Sequence, residues 1–124
     1  MSQKTELTRL EMNSVKKWIA QNVETIQTVG DISSTLKFNH ETLRKLFYRV
    51  NQQPLMKYVQ KERIKKVMDL LTTTDLKCFE IAFKAGFQRE DSASRAFKKS
   101  TGYTMEEYRD SQRNNYLQQN KMKK

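Results

Sequence analysis

Apolar residues recur along this chain at intervals of three and four, never alternating over a strand's length, and that spacing predicts helices from end to end. Met12, Val15, Trp18, Ile19 and Val23 make one face of a first helix. Thr28-Val29-Gly30 breaks it, and Asp31 is placed to cap a short second helix containing Ile32 and Leu36. Asn39 is a fitting N-cap for a third helix, on which Leu43, Leu46, Phe47 and Val50 fall at i, i+3, i+4 and i+7. Pro54 is tolerated in the first turn of a longer fourth helix. Its inner face is Leu55, Tyr58, Val59, Ile64, Val67, Met68 and Leu71, and Thr72-Thr73-Thr74-Asp75 closes it. Three glycines and one proline leave few breakers in 124 residues, so the expected class is all-α with about seven helices.

The stretch from Thr74 to Arg109 is the most informative. It reads as a short helix (Phe79 to Lys84), a sharp turn at Gly86 and a second helix from about Glu90 to Ser100. Ala82 stands four residues before Gly86 and eleven before Ala93, so small residues mark a close helix crossing. Glycine supplies the positive φ that such a turn needs. That is helix-turn-helix architecture, whose second helix suits a DNA major groove. The first half repeats it weakly. Leu43 answers Ala93 and Phe47 answers Phe97 at an offset of 50, while Ile32-Ser33 answers Ile81-Ala82 at 49, making the second turn one residue longer.

The expected organisation follows. Residues 1–54 form one helix-turn-helix subdomain, with a recognition helix at about 40–51, and residues 55–73 a linker helix. Residues 74–110 form the second subdomain, with a recognition helix at about 90–100, and residues 111–124 a basic flexible tail. Two such units on a stiff connector suit successive major-groove faces roughly 34 Å apart.

Charge sharpens this picture and also tempers it. Lys+Arg 24 against Asp+Glu 14 gives +10, a balance suited to a polyanion or an acidic membrane surface. Residues 78–110 nevertheless carry six basic and six acidic groups, so the case for the second unit rests on geometry rather than gross charge. One Cys excludes an internal disulfide framework and fits a reducing cytoplasm. No apolar run approaches the length of a membrane span, and MSQKTELTRLEMN lacks a signal-peptide core, so a cytoplasmic protein is expected. With one His and one Cys, no Gly-rich phosphate loop and no triad-like arrangement, no catalytic constellation is visible, and no cofactor or metal is implied.

An ordered set of residues then points to a family. Arg63 with Leu70-Leu71, Asp75, Ile81-Ala82, Gly86-Phe87, Arg95 with Phe97-Lys98, Gly102 and Tyr108-Arg109 together resemble the DNA-binding domain of AraC/XylS-type transcription regulators. The resemblance covers about Val29 to Arg109. It implies seven helices with two helix-turn-helix motifs, matching the helices read from the pattern. Ser33, Gln52, Val67, Cys78, Ala93 and Met105 depart from that family's usual residues while remaining compatible with the fold; Gln52 stands where a Gly usually turns the chain.

With the apolar row of the third helix buried, His40, Glu41, Arg44, Lys45 and Tyr48 turn outward. Arg44 is the first choice for a base contact, because a guanidinium can grip guanine O6 and N7 together. Lys45, Tyr48 and Arg49 suit phosphate contacts that orient without specifying. The resemblance places His40, Glu41, Arg44 and Lys45 on groove-facing positions of the first recognition helix, and Arg89, Glu90, Asp91, Ser94 and Arg95 on those of the second. Lys98 is expected at phosphate. Glu90 and Asp91 sit awkwardly beside phosphates: they are placed to read cytosine, to hold Arg89 or Arg95 in place or to mark a unit that binds weakly, and they also suit the positive end of a helix dipole, which is the simpler account. Basic outward residues are often no more than a solvated face, and Trp18 at helical spacing is expected in the core. Arg63 and Arg109 are expected to pair with carboxylates or cap carbonyls, and Cys78 to be an inert buried thiol.

The expected function is therefore sequence-specific binding of double-stranded DNA in transcription regulation. The alternatives are a helical protein-interaction module and a charge-driven, non-specific nucleic-acid binder. RNA polymerase is a further partner implied by resemblance only. The chain is expected to act as a monomer, or as a dimer where a further domain exists, and to be either a minimal regulator or the DNA-binding part of a longer one.

Overall fold

The computed structural model of the chain describes residues 9–122, and the side chains of residues 11–114. Among them run seven helices and no strand: α1 (Arg9–Asn22), α2 (Val29–Leu36), α3 (His40–Asn51), α4 (Leu55–Thr73), α5 (Cys78–Lys84), α6 (Glu90–Thr101) and α7 (Met105–Met122). The chain divides into two compact units, Met1–Arg63 and Ile64–Lys124. The division falls inside α4. Leu55 and Val59 enter the first core, and Ile64, Val67 and Leu71 the second.

In the first unit, Met12, Val15 and Ile19 of α1 are buried with Val23 and Ile26 of the following loop. Helix α2 begins one turn earlier than expected. Thr28, not Asp31, is its N-cap: Thr28 Oγ1 accepts from Asp31 N at 3.3 Å, and Asp31 Oδ2 accepts from Gln27 N and Thr28 N, each at 2.9 Å. This reciprocal arrangement uses both side chains on donors that the helix start leaves unpaired. Those two backbone donors hold the Asp31 carboxyl below its usual range. The chain then turns through Lys37 in the left-handed conformation (φ 60°), with Phe38 N donating to Ser33 O at 2.9 Å.

Asn39 caps α3 as its position suggested, Oδ1 accepting from Glu41 N at 3.0 Å and Thr42 N at 3.2 Å. Leu43, Leu46 and Phe47 are buried beneath it, and Phe47 lies against Tyr58 with ring centroids 5.3 Å apart. Val50, expected in this row, is 50% exposed. It stands in the last turn, where Asn51 closes the core edge instead, Nδ2 lying 3.4 Å from Met12 Sδ. Helix α3 ends on Gln52, also left-handed at φ 59°. The Arg63 guanidinium donates to the carbonyl of Ile26, tying α4 to the loop after α1.

The second unit repeats these devices. Ile81, Ala82, Ala85, Phe87, Ala93, Phe97 and Met105 join the α4 residues in its core. Ala82, Ala85 and Ala93 are wholly buried, as packing of α5 directly against α6 requires. Gly86 makes the turn at φ 98°, and Phe87 N donates to Ala82 O at 3.0 Å. Phe97 meets Tyr108 edge-on at 5.5 Å, the counterpart of the Phe47–Tyr58 pair. Gly102 ends α6 at φ 85° where Gln52 ends α3. Lys37 and Gly86, Phe38 and Phe87 are thus equivalent at an offset of 49, and every pair from Leu43 and Ala93 onward at 50. The added residue lies between Phe87 and α6, where Gln88 and Arg89 stand in place of Asn39 alone.

Thr104 and Glu107 cap α7 reciprocally, Thr104 N donating to Glu107 Oε1 at 2.8 Å and Glu107 N to Thr104 Oγ1 at 3.0 Å. Arg109 reaches back to α4, donating from Nε to Leu71 O at 3.0 Å and from Nη2 to Thr74 O at 3.2 Å. Leu71 lies in the last turn of α4, whose carbonyls have no partner within the helix, and Thr74 follows directly after it. Arg113 pairs with Asp75. Helix α7 runs on to Met122, through most of the residues expected to form a basic flexible tail from Ser111. No Gly or Pro interrupts residues 105–122, and the reciprocal cap starts the helix firmly. Lys123 and Lys124 of that expected tail lie outside the described residues.

Candidate nucleic-acid interface

Helix α3 separates its residues cleanly. Leu43, Leu46 and Phe47 face the core, and His40, Glu41, Arg44, Lys45, Tyr48 and Arg49 are all exposed. Capping by Asn39 fixes the first turn, so the outward row starts from a defined position. Glu41 Oε1 accepts from Arg44 Nη1 at 3.1 Å, one turn apart and in the open. This leaves most of the Arg44 donors available, since a guanidinium carries five N–H groups. Cation and acid at this spacing add little to stability when exposed.

Helix α6 presents the equivalent face. Ala93 and Phe97 are buried; Arg89, Glu90, Asp91, Arg95 and Lys98 are exposed, and Ser94 is half-buried. Arg89 is the N-cap residue and gives the helix no side-chain acceptor, unlike Asn39 in the first unit. It turns instead to Asp91, donating from Nε to Oδ1 at 3.0 Å and from Nη2 to Oδ2 at 3.3 Å. Arg95 Nη2 also donates to Asp91 Oδ2, at 3.4 Å. Slight desolvation opposes ionisation of Asp91, but the Arg89 charge and hydrogen bond, with the Arg95 charge, outweigh it and hold the carboxyl below its usual range. Lys98 and Lys99 occupy the last turn, where cations complement the helix dipole.

Ser94, Arg95 and Lys98 also line one side of an open cleft of about 390 Å³, with Cys78, Glu90, Thr104, Met105 and Glu106 around the rest. Burial pushes the Cys78 thiol up, which disfavours its reactive thiolate. Among the described residues no three His, Cys, Asp or Glu side chains are grouped to hold a metal ion, and no helix is long and apolar enough to cross a membrane.

The expected contact residues therefore lie on α3, on α6 or, for Arg89, at the N-cap before α6, and all but the half-buried Ser94 are exposed. Among the roles open to the acids at the start of α6, holding an arginine is the one seen for Asp91, which pairs with both Arg89 and Arg95, while Glu41 pairs with Arg44. The Glu41–Arg44 and Asp91–Arg95 pairs have the i,i+3 and i,i+4 spacings that signal such contacts; Arg89, two residues before Asp91 and ahead of the helix, has no such signal.

Two small helical units, each presenting one helix with an outward cationic row, define a helix-turn-helix fold of the kind that binds DNA. A family model described as a helix-turn-helix domain matches residues 32–111, and the chain belongs to the AraC/XylS-type family. It is 32% identical over 92 residues to the melibiose operon regulatory protein of Escherichia coli, covering 74% of this chain and 30% of that one. It is 26% identical over 98 residues to the transcriptional activator AarP of Providencia stuartii, covering 79% of this chain and 73% of that one. The chain thus spans under a third of the first relative and most of the second. Its fold matches the DNA-binding domain of the transcriptional factor AdpA, solved in complex with a target DNA, with a TM-score of 0.79 at 19% identity, covering 86% and 96% of the two chains. The named curated relatives are regulators of transcription, not enzymes.

Proposed function

We propose that this chain binds double-stranded DNA sequence-specifically, with α3 and α6 as recognition helices in successive major-groove segments. The observation that carries this reading is the repeated face: exposed cations on α3 and α6, opposite buried residues equivalent at an offset of 50. In the first unit Arg44 reads a base, guanine being the best match to its free fork, and His40 reads beside it. Lys45, Tyr48, Arg49 and, in the second unit, Lys98 hold phosphate and set register. Two different reading heads in one chain suit a monomer on an asymmetric site. The AdpA domain's solution with target DNA and the names of the curated relatives support placement in transcription control, with RNA polymerase as the natural further partner.

Selection of bound sequences from a random duplex library tests this, followed by affinities at two salt concentrations. Two enriched blocks about one helical turn apart are expected. Arg44→Ala should cost about 1–3 kcal/mol on the selected site and relax preference at one base pair, whereas Lys45→Ala should weaken all sequences alike and flatten the salt slope by about one. Sequence-blind losses in both variants would remove Arg44 from base reading. No enrichment, with binding that disappears as salt rises, would replace the proposal with charge-driven association.

A further inference from the structure

Acids at the tip of a recognition helix need an explanation, because phosphates repel them. Asp91 lies in the first turn of α6, with its side chain 53% exposed, and both of its oxygens are engaged by arginine. Oδ1 takes Arg89 Nε, and Oδ2 takes Nη2 of both Arg89 and Arg95. These side chains are open to solvent, Arg89 at 75% and Arg95 at 78%, and exposed pairs of this kind contribute little to folding. The arrangement is therefore poorly explained as a device of stability.

Donor accounting gives it another meaning. A guanidinium has five N–H groups. Arg89 spends Nε–H and one Nη2–H on Asp91, along one edge of its plane. The far edge, with one hydrogen each from Nη1 and Nη2, keeps the fork that matches guanine O6 and N7. Arg95 spends a single Nη2–H. Asp91 has three of its roughly four acceptor sites taken, one on Oδ1 and two on Oδ2, which leaves it little capacity to accept from cytosine N4.

The geometry points to Asp91 as a positioning residue: it holds Arg89 and Arg95 together as a paired guanine-reading element at the start of α6, and does not itself read a base. Glu41 in the first unit, with one bond to one arginine, makes only half of such an element. Fixing two long side chains before DNA arrives lowers the ordering cost of binding, which raises selectivity at the base pairs they face. The two arginines hold the Asp91 carboxyl below its usual range, so the brace stays charged into mildly acidic solution as well as at neutral pH. This inference rests on α6 entering the groove, as proposed above.

The test uses the full chain with Asp91→Asn, an isosteric change that removes the charge, beside Arg89→Ala and Arg95→Ala. Each is carried through library selection and through affinity for a selected and a scrambled duplex, with helicity checked by circular dichroism. The expected result for Asp91→Asn has two opposite signs. Selectivity at the α6 base pairs falls about fivefold to tenfold, part of what a bidentate contact supplies. Affinity for scrambled duplex rises about twofold, since an acid has left a surface facing phosphates. The arginine variants lose preference at the same base pairs while binding scrambled DNA less well. Loss of a cytosine preference with the guanine preferences intact would overturn the inference, making Asp91 a reader. Unchanged selectivity in Asp91→Asn, with losses in both arginine variants, would also overturn it while leaving α6 as a recognition helix. No α6 block in the unaltered chain would remove both the brace and the second reading helix.

Discussion

Helices α3 and α6 end on equivalent residues that differ in kind, and this makes a paired experiment possible. Gln52 closes α3 at φ 59° and Gly102 closes α6 at φ 85°. A residue with a Cβ pays roughly 1–2 kcal/mol in the left-handed region. Glycine's extra freedom in the unfolded chain offsets about 0.4–1 kcal/mol of that. A Cβ built on Gly102 meets nothing within 4 Å, so Gly102→Ala carries no clash and should destabilise the second unit by about 0.5–1 kcal/mol. Gln52→Gly reverses the change in the first unit. It gives up an exposed hydrogen bond from Gln52 Nε2 to Arg49 O at 3.0 Å, worth a fraction of the strain relieved. A net gain of about 0.5 kcal/mol is expected. Urea denaturation reads both. Trp18 is the single tryptophan and packs on the first core, so its fluorescence follows the first unit, while far-ultraviolet circular dichroism follows the helices of both. The slope with denaturant should be unchanged, since neither variant alters the surface exposed on unfolding. A destabilised Gln52→Gly, or a cost above about 2 kcal/mol for Gly102→Ala, would refute the reasoning, because only an unrecognised contact reaches that size.

Two further outcomes concern the polar ties. Arg109→Ala removes two charge-assisted bonds to the Leu71 and Thr74 carbonyls and should cost the second unit about 1.5–3 kcal/mol, with Arg109→Lys recovering only part; a loss under about 0.5 kcal/mol would reduce the contact to ornament. Asp31, whose carboxyl is depressed below 3.8 by the Gln27 and Thr28 amides, adds stability above its unfolded value that is lost as pH falls through the folded one. Asp31→Asn should therefore be less stable than the unaltered chain at neutral pH by Trp18 fluorescence, and the difference should shrink below pH 3.8; a constant difference would show that the charge is irrelevant.

Much of this was legible because helices declare themselves locally. Asn39, Gly86 and the rows Leu43–Phe47 and Ala93–Phe97 each carry their own signal within one or two turns, so both units and their outward faces followed. Other features depend on atoms the pattern does not display. Thr28 and Asp31 are both good caps, and which begins α2 is settled by reciprocal bonds rather than residue type. Val50 fits the apolar period but lies past the core edge, where Asn51 takes the contact. The carbonyls that receive Arg63 and Arg109 are 37 and 38 residues away, and backbone oxygens leave no mark in a sequence. The tie of Asp91 to Arg95 was within reach of spacing alone; the tie to Arg89, two residues away and ahead of the helix, was not, and choosing among the roles open to the acid required the positions of the guanidinium nitrogens.

Each hydrophobic core draws its buried residues from one unit. Damage to this protein is therefore compartmented. Under the proposed division of labour, a cavity opened at Phe97 shortens the stretch of DNA that is scrutinised, and one at Phe47 shortens it from the other end. Such variants would lose information about their target in halves, tolerating more sites rather than none. Regulators built this way can drift toward new targets one block at a time while the other block keeps the old address.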